Sequence, residues 1–444
     1  GAAAVHLPSM CAQHICDAQG VASLAMVLHA LHQVGERHTS LTLLKQILAI
    51  GVDISGDAYG GWLADCQATQ DVDNELVVWE HMLQTAPNHG LRAAAGNMAV
   101  LRAFDLNQTA RAIQTLATME EHGLGNVLSV VRLRERCSAE LVGNRVIASP
   151  LGWKPRQRSV GIRQAKAAGR ILSKWDYYKE VGVLEYVFSR ATVGDATTVC
   201  LAIEAFSREE HLYLKLGAEE KGLALDAMLG SVSEERKGPV LVVEVGCYVG
   251  YSAVRMSQCL PPGSRLVTIE VDPYHAAISR SVLEMSGLAH LVEIWIGHSE
   301  HVIPRLSSQF GSHSTNAIFF DQRGTRYHED LELLERLHIL AHGALVCADN
   351  VVRPGAPEFM WRVCDPRGCY ETQAIAHRDY GQDSVEDWIS ISRFCLAASF
   401  DFEWYPCPDA LQQLAYESDQ MRNRSINERV TEEEWRVFTL LVRE

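Results

Sequence analysis

Five oxygen-bearing side chains in the second half of the chain, Glu244, Glu270, Asp321, Asp349 and Asn350, each close a short apolar run. Carboxylate and amide oxygens gathered in one place can accept hydrogen bonds from an ammonium or a hydroxyl, or coordinate a hard cation. The first of them opens the segment Glu244-Val-Gly246-Cys-Tyr248-Val-Gly250-Tyr-Ser252. Its two glycines let the backbone turn tightly and come close to a ligand. No Lys-Ser/Thr pair follows, so the loop is not the phosphate-cradling kind. A carboxylate beside the loop and a second one, Glu270, where an acid typically holds a ribose diol, suit a nucleoside with a cationic group and no phosphates. S-adenosylmethionine has that chemistry.

The elements that must position these groups are legible as a pattern. Short β-branched runs at Val240–Val245, Arg265–Val271, Leu291–Gly297, Ala317–Gln322 and Gly343–Asn350 alternate with helical stretches. Such alternation predicts right-handed βαβ crossovers and an α/β Rossmann-like domain, with a doubly wound, mostly parallel sheet. Ligands of such sheets bind beyond the carboxyl ends of the strands. Ordinary surface acids would be scattered along the chain, whereas these stand one at each strand end.

The run Glu244-Val-Gly-Cys-Tyr-Val-Gly-Tyr-Ser-Ala-Val-Arg-Met256 resembles catechol O-methyltransferases almost letter by letter. In the family's order and spacing follow Ile269-Glu270-Val-Asp-Pro273, Gly297-His-Ser299, Phe320-Asp321 with Arg326-Tyr327, and Ala348-Asp349-Asn350-Val-Val-Arg-Pro354-Gly355. The similarity runs from about 179 to 394 and includes Val193-Gly194-Asp195. It implies a methyltransferase using S-adenosylmethionine, with Mg²⁺ on the residues matching Asp321, Asp349 and Asn350. Two carboxylates and an amide oxygen leave three positions on an octahedral ion, enough for both oxygens of a vicinal diol and a water. A cation there would acidify a phenol whose ordinary pKa is about 10. The cofactor positions carried over are Glu244, Gly246, Tyr248 and Ser252 around the loop, Glu270 on the ribose and Ser299 near the adenine, with Gln322 also counted among them. Lys221 matches a second family lysine, and Glu386 matches the acid that holds the other hydroxyl of the acceptor; each is equally read as a solvated surface charge.

The departures from the family are as specific as the matches. Where the family has His-Trp-Lys after the metal aspartate, this chain has Gln322-Arg323-Gly324, so the lysine taken as general base is absent. Glu300 stands in the place of a common Gln, and Leu212-Tyr213-Leu214 replaces a Trp-Ala-Met gate. Either the cation alone acidifies the acceptor, helped by Arg323 or Lys221, or the domain binds cofactor and turns over slowly or on another acceptor.

Ahead of this domain, three segments starting at Leu24, Tyr59 and Gly96 superpose, each with two apolar stripes around a turn (Gly35-Glu36, Gln70-Asp71, Asn107-Gln108), and Gly51 and Gly123 stand as helix ends. The spacing resembles the pentatricopeptide repeat, a helical-hairpin solenoid that binds single-stranded RNA. At the base-reading position stand Met26, Gly61 and Met98, none of which can hydrogen-bond a base edge through its side chain. Protein docking is therefore as good a role as RNA binding. The organisation expected is an all-α repeat region over 1–130, a connector over 131–175, the methyltransferase domain over 176–400 and a C-terminal helical extension over 401–444.

The 444 residues carry a net charge of −15, yet between 131 and 174 eleven Lys and Arg face two acids. That segment is read as a solvated linker first and as an anion- or RNA-docking stretch second. With 47% hydrophobic residues, 32 Gly and 14 Pro, long disorder, collagen and coiled coil are excluded. No apolar run reaches the length of a membrane span. The twelve cysteines form no CxxC, which points to an intracellular, reducing compartment. Gly1–Val5 has no signal-peptide character, and the start is read as trimmed, leaving targeting information outside the sequence. A rival reading keeps the fold but makes the chain a catalytically weakened scaffold or RNA-associated protein.

Overall fold

The β-branched runs form strands because each is short, apolar on both sides and flanked by amphipathic stretches that can cover it. In the computed structural model of the chain they build one seven-stranded sheet. The structure describes residues 42–44, 54, 56–142, 177–210, 214, 216–379, 382–395, 405–427 and 430–443. The chain divides into two compact units, 1–193 with 271–285, and 194–270 with 286–444.

The first unit is helical. Gly56–Thr69 and Val72–Thr85 form one hairpin, His89–Asp105 and Thr109–Glu121 a second, followed by Leu128–Val142 and Tyr178–Arg190. The turns fall where the sequence marks them, at Gln70 and Asn107, both with positive φ. Asp71 caps the second helix by accepting from the Asn74 N–H at 3.3 Å. Gly123, at φ +75°, ends the fourth, and the Leu124 N–H returns to the Met119 carbonyl at 2.9 Å. Apolar stripes from the hairpins meet in a core of Leu76, Leu83, Val100, Ala112 and Met119. Met98 is buried, so it offers a base nothing. Most of the repeat segment from Leu24, Met26 and Gly51 included, lies outside the described residues, as do 143–176 of the basic connector. The helix Tyr178–Arg190 and residues 273–285 belong to this unit, although the sequence pattern assigns both to a domain spanning 176–400.

The second unit holds the sheet: β1 Leu241–Val245, β2 Arg265–Glu270, β3 Val292–Ile296, β4 Thr315–Phe320, β5 Leu340–Ala348, β6 Tyr370–Asp379 and β7 Gln382–Phe394. Its order is β3-β2-β1-β4-β5-β7-β6. The first five strands run parallel, and β7 is antiparallel to both its neighbours. All five expected strands are present. β6 and β7 were not foreseen, because β6 is a largely exposed edge strand rich in polar residues and lacks an apolar run. Val243, Val245, Val267, Ile318 and Phe320 pack with Tyr327 and Phe359 in the core beneath the carboxyl-end edge.

Two helices close the chain, Asp409–Asn427 and Glu432–Arg443. Met421, Trp435 and Phe438 form their shared core, and Val442 also packs on the core of the sheet. The extension foreseen over 401–444 is thus part of the second unit. Among the described residues no helix is long and apolar enough to cross a membrane.

Candidate active site

Backbone bonds place the strand tips level with one another. The Gly246 N–H donates to the Ile269 carbonyl, Gly297 to Glu270, Asp321 to Val245 and Asp349 to Phe320, all at 2.9–3.0 Å. Each ladder therefore continues one residue past its strand, and the residues that close the runs share one edge. β1 pairs with β2 on one side and β4 on the other, so the strand order reverses there, which is where an open sheet leaves a crevice.

The glycine bend at the end of β1 is tight. Gly246 has φ +104°, and a Cβ on it would stand 2.3 Å from the Asp321 carbonyl oxygen. Only glycine lets the tips of β1 and β4 approach this closely. Tyr248 and Gly250 continue the turn with positive φ, and the helix Tyr251–Ser257 begins. Glu270 secures the loop from β2: its Oε2 accepts from the Cys247 N–H at 3.2 Å and the Tyr248 N–H at 2.8 Å. A ribose diol would share this carboxylate with two loop amides.

Glu244 is used differently from the expectation. It is fully buried inside the sheet, its Oε1 accepts from the Ser252 hydroxyl, and its Oε2 accepts from Thr268 Oγ1 at 2.5 Å. The hydroxyls it was expected to serve belong to the protein, so it ties β1 to the loop helix and to β2. Burial pushes its carboxyl up to about 7, against the pull of those two hydrogen bonds.

Ser299 and Gln322 come together past β3 and β4, with Gln322 Nε2 3.5 Å from Ser299 Oγ. The same Nε2 donates to Asp330, a buried carboxyl on the helix Tyr327–Arg336 that the sequence did not single out. Burial raises Asp330 to about 7, while its bonds to Ser299 and Gln322 pull the other way. Glu300 is paired with Arg326.

On the other half of the edge, Asp321 and Asp349 follow Phe320 and Ala348, which face each other across β4 and β5. Lys221, nearly buried, donates from Nζ to Asp349 Oδ2 at 2.7 Å. Asp349 Oδ1 accepts from the Asn350 N–H at 2.8 Å, and the buried His377 Nε2 lies 3.8 Å from it. Asn350 sits in the left-handed region, at φ +55°. Its Nδ2 donates at 2.7 Å to Asp387 Oδ2, so Oδ1 is the end its amide presents. Asp387 also accepts from the backbone N–H groups of Val352, Arg353 and Trp388 at 2.7–3.3 Å.

The sequence named Glu386, its neighbour. Alternation along β7 sends the two acids to opposite faces: Asp387 is fully buried, and Glu386 is exposed, paired with Arg443 at 3.1 Å and accepting from Trp388 Nε1 at 2.9 Å. An acid one residue from a predicted site residue on a strand was the available signal. Asp321, Asp349 and the Asn350 Oδ1 form an all-oxygen set on two adjoining tips, the donor chemistry of a hard divalent cation. Among the described residues no three His, Cys, Asp or Glu side chains form a metal cluster, and this set has only two acids.

Gly324 is enclosed. A Cβ there would stand 2.8 Å from the Gly355 carbonyl oxygen and 3.3 Å from Ala356 Cβ. Arg323 donates from Nε to Asp419 Oδ1 at 2.7 Å and from Nη2 to Oδ2. Of the replaced gate, residues 212 and 213 lie outside the described residues. Cys66, Cys200, Cys247, Cys259, Cys347, Cys364, Cys369, Cys395 and Cys407 are free thiols, and burial holds Cys200 and Cys369 up to about 12.

A glycine bend at the reversal point of a parallel sheet, with acids and an amide on the neighbouring strand tips, defines a class. The O-methyltransferase family model matches residues 219–358, which carry Lys221, the glycine bend and the donor set. Catechol O-methyltransferase B of Danio rerio is 34% identical over 212 residues, covering 48% of this chain and 77% of that protein. Catechol O-methyltransferase of Bos taurus is 38% identical over 182 residues, 41% of this chain and 65% of that protein. That of Mus musculus is 40% identical over 182 residues, 41% of this chain and 66% of that protein. The chain therefore spans about two thirds of the length of the bovine and mouse relatives. It belongs to the catechol O-methyltransferase family.

Proposed function

We propose that the second unit is an S-adenosylmethionine- and Mg²⁺-dependent O-methyltransferase acting on a vicinal aromatic diol. The observation that carries this reading is the pair of carboxylates on facing tips of β4 and β5, with the neighbouring Asn350 amide turned oxygen-outward by Asp387. Asp321, Asp349 and Asn350 would hold the cation, and Lys221 fixes the Asp349 carboxylate while adding positive charge at the same tip. When bound, the ion supplies Lewis acidity that makes a phenolic oxygen nucleophilic at neutral pH, and the sulfonium cofactor supplies the methyl group.

The protein's own part is positioning. Gly246, Tyr248 and Ser252 shape the bend that seats the cofactor, Glu270 fixes that bend and accepts from the ribose, and Ser299 with Gln322, backed by Asp330, borders the adenine. No side chain at 324 can take the acceptor's proton. Loss of a general base costs about 10²–10⁴ in rate, so turnover is slow without being abolished. Glu386 would hold the other hydroxyl of the acceptor, and it is paired with Arg443. The helical hairpins of the first unit serve docking to a protein or an RNA.

The test uses the full chain with labelled S-adenosylmethionine, Mg²⁺ and a panel of catechols, together with calorimetry of cofactor binding. Methyl transfer that stops with a chelator and in Asp349→Ala, while cofactor affinity persists, is the expected result. Cofactor binding with no transfer to any diol would instead make the chain a binding module.

A further inference from the structure

We infer that the C-terminal helix pair, Asp409–Asn427 with Glu432–Arg443, forms the acceptor-side wall of the site, clamped there by Asp419 on Arg323. This rests on the methyltransferase reading and names the residues that replace the family's aromatic wall.

Two loops leave the donor set, and the helix pair grips both of them and the neighbouring strand β7. The loop after Asp321 is held through Arg323, which engages both oxygens of Asp419, and through Thr325 Oγ1, which donates to Asp419 Oδ1 at 2.7 Å. The loop after Asn350 is held twice. The Arg353 guanidinium lies over the Trp435 ring, 4.5 Å from its centroid, and Gly355, at φ +108°, packs so closely that a Cβ would stand 3.0 Å from Ser418 Oγ and 3.2 Å from a Val442 methyl. The third contact is on β7, where Arg443 pairs with Glu386 at 3.1 Å and lies over Trp388 at 5.0 Å.

These contacts combine a forked Arg–carboxylate pair, two cation–π contacts and a backbone approach only glycine allows, each specific in geometry. The contacts on Arg323, Thr325, Arg353 and Gly355 fall two to six residues beyond the ligand residues. A tail docked for stability alone would have no reason to touch both of these loops. The Asp419 carboxyl is held below its usual range by Arg323, Thr325 and Arg422 against its own burial, which agrees with a clamp that stays charged. The Arg323-Gly324 loop, where the family has an aromatic and a long side chain, is tied instead to a segment 96 residues further along. Asp419 is a positioning residue, since it acts on the loop and not on reacting atoms.

Full-length protein with Mg²⁺ is titrated with S-adenosylhomocysteine by calorimetry and, in its presence, with 4-nitrocatechol by absorbance. Asp419→Ala is expected to weaken nitrocatechol binding about fivefold or more and to leave the nucleoside affinity within about twofold. The exchange pair Arg323→Asp with Asp419→Arg is expected to recover most of the lost affinity. Unchanged nitrocatechol binding in Asp419→Ala overturns the inference. So does an equal loss for both ligands, or no recovery in the exchange pair, either of which reports general loosening. If the unaltered protein binds neither ligand, the methyltransferase reading falls and takes the wall with it.

Discussion

The two halves of the strand-tip edge are built on different principles. The half at β1 to β3 is local: a glycine bend, two acids closing their strands, and hydroxyls within a few residues or one strand. The half at β4, β5 and β7 is assembled from afar, with Lys221, Asp387 and Asp419 brought to the same tips from three separate stretches. A site for an invariant nucleoside can be written in backbone geometry, which leaves a sequence signature. A site for a variable acceptor is made of side chains whose partners lie anywhere in the chain, and it can be rebuilt without disturbing the first.

The largest effect expected from this contrast is in the bend. Gly246→Ala places a methyl 2.3 Å from the Asp321 carbonyl oxygen at a left-handed φ, so the two tips must separate. Cofactor affinity should fall by about a hundredfold or more, close to 3 kcal/mol, measured by calorimetry. A loss below about threefold would mean that the halves are not joined at this glycine.

Next is Gly324→Lys, which restores the family's lysine by sequence alone. Its Cβ meets the Gly355 backbone at 2.8 Å, so the variant should turn over no faster than the parent and melt several degrees lower, about 4 °C or more. A tenfold gain in kcat would show that the acceptor half is the family's with one residue lost. The absence of gain would show that the loop has been repacked around the vacancy.

The smallest effect is in pH. Glu244 and Asp330 are both raised to about 7 in the folded protein, above the ordinary carboxyl values near 4. These two carboxyls therefore bind more protons folded than unfolded between those limits, so their contribution to stability is fully present below the ordinary carboxyl value and is lost as pH rises through 7. Glu244→Gln, which keeps the shape without the titration, should lose less melting temperature than the parent between pH 5 and pH 8.

Much of this was readable from the sequence. The five parallel strands, the Gly246 bend, the turns at Gln70 and Asn107 and the set Asp321, Asp349 and Asn350 follow from periodicity, glycine placement and strand-end acids, all local signals. β6 escaped because an exposed edge strand shows no apolar run, and β7, an inner strand, because polar residues interrupt its apolar ones. That Glu244 is turned into the sheet, onto Ser252 and Thr268, escaped because periodicity does not tell an acid at a strand end that faces outward from one turned inward.

The sequence by itself determined where the strands run, which oxygen atoms meet at their ends and that no lysine follows Gln322, since all of these depend on residues near one another in the chain. Tertiary structure alone decided that Asp387 rather than Glu386 orients Asn350, that Lys221 is committed to Asp349, and that Asp419 holds Arg323. Those pairings join residues 37, 128 and 96 positions apart. A charged side chain buried or half-buried on folding takes whichever opposite charge the packing of distant elements brings within reach, and nothing in the local pattern records that choice.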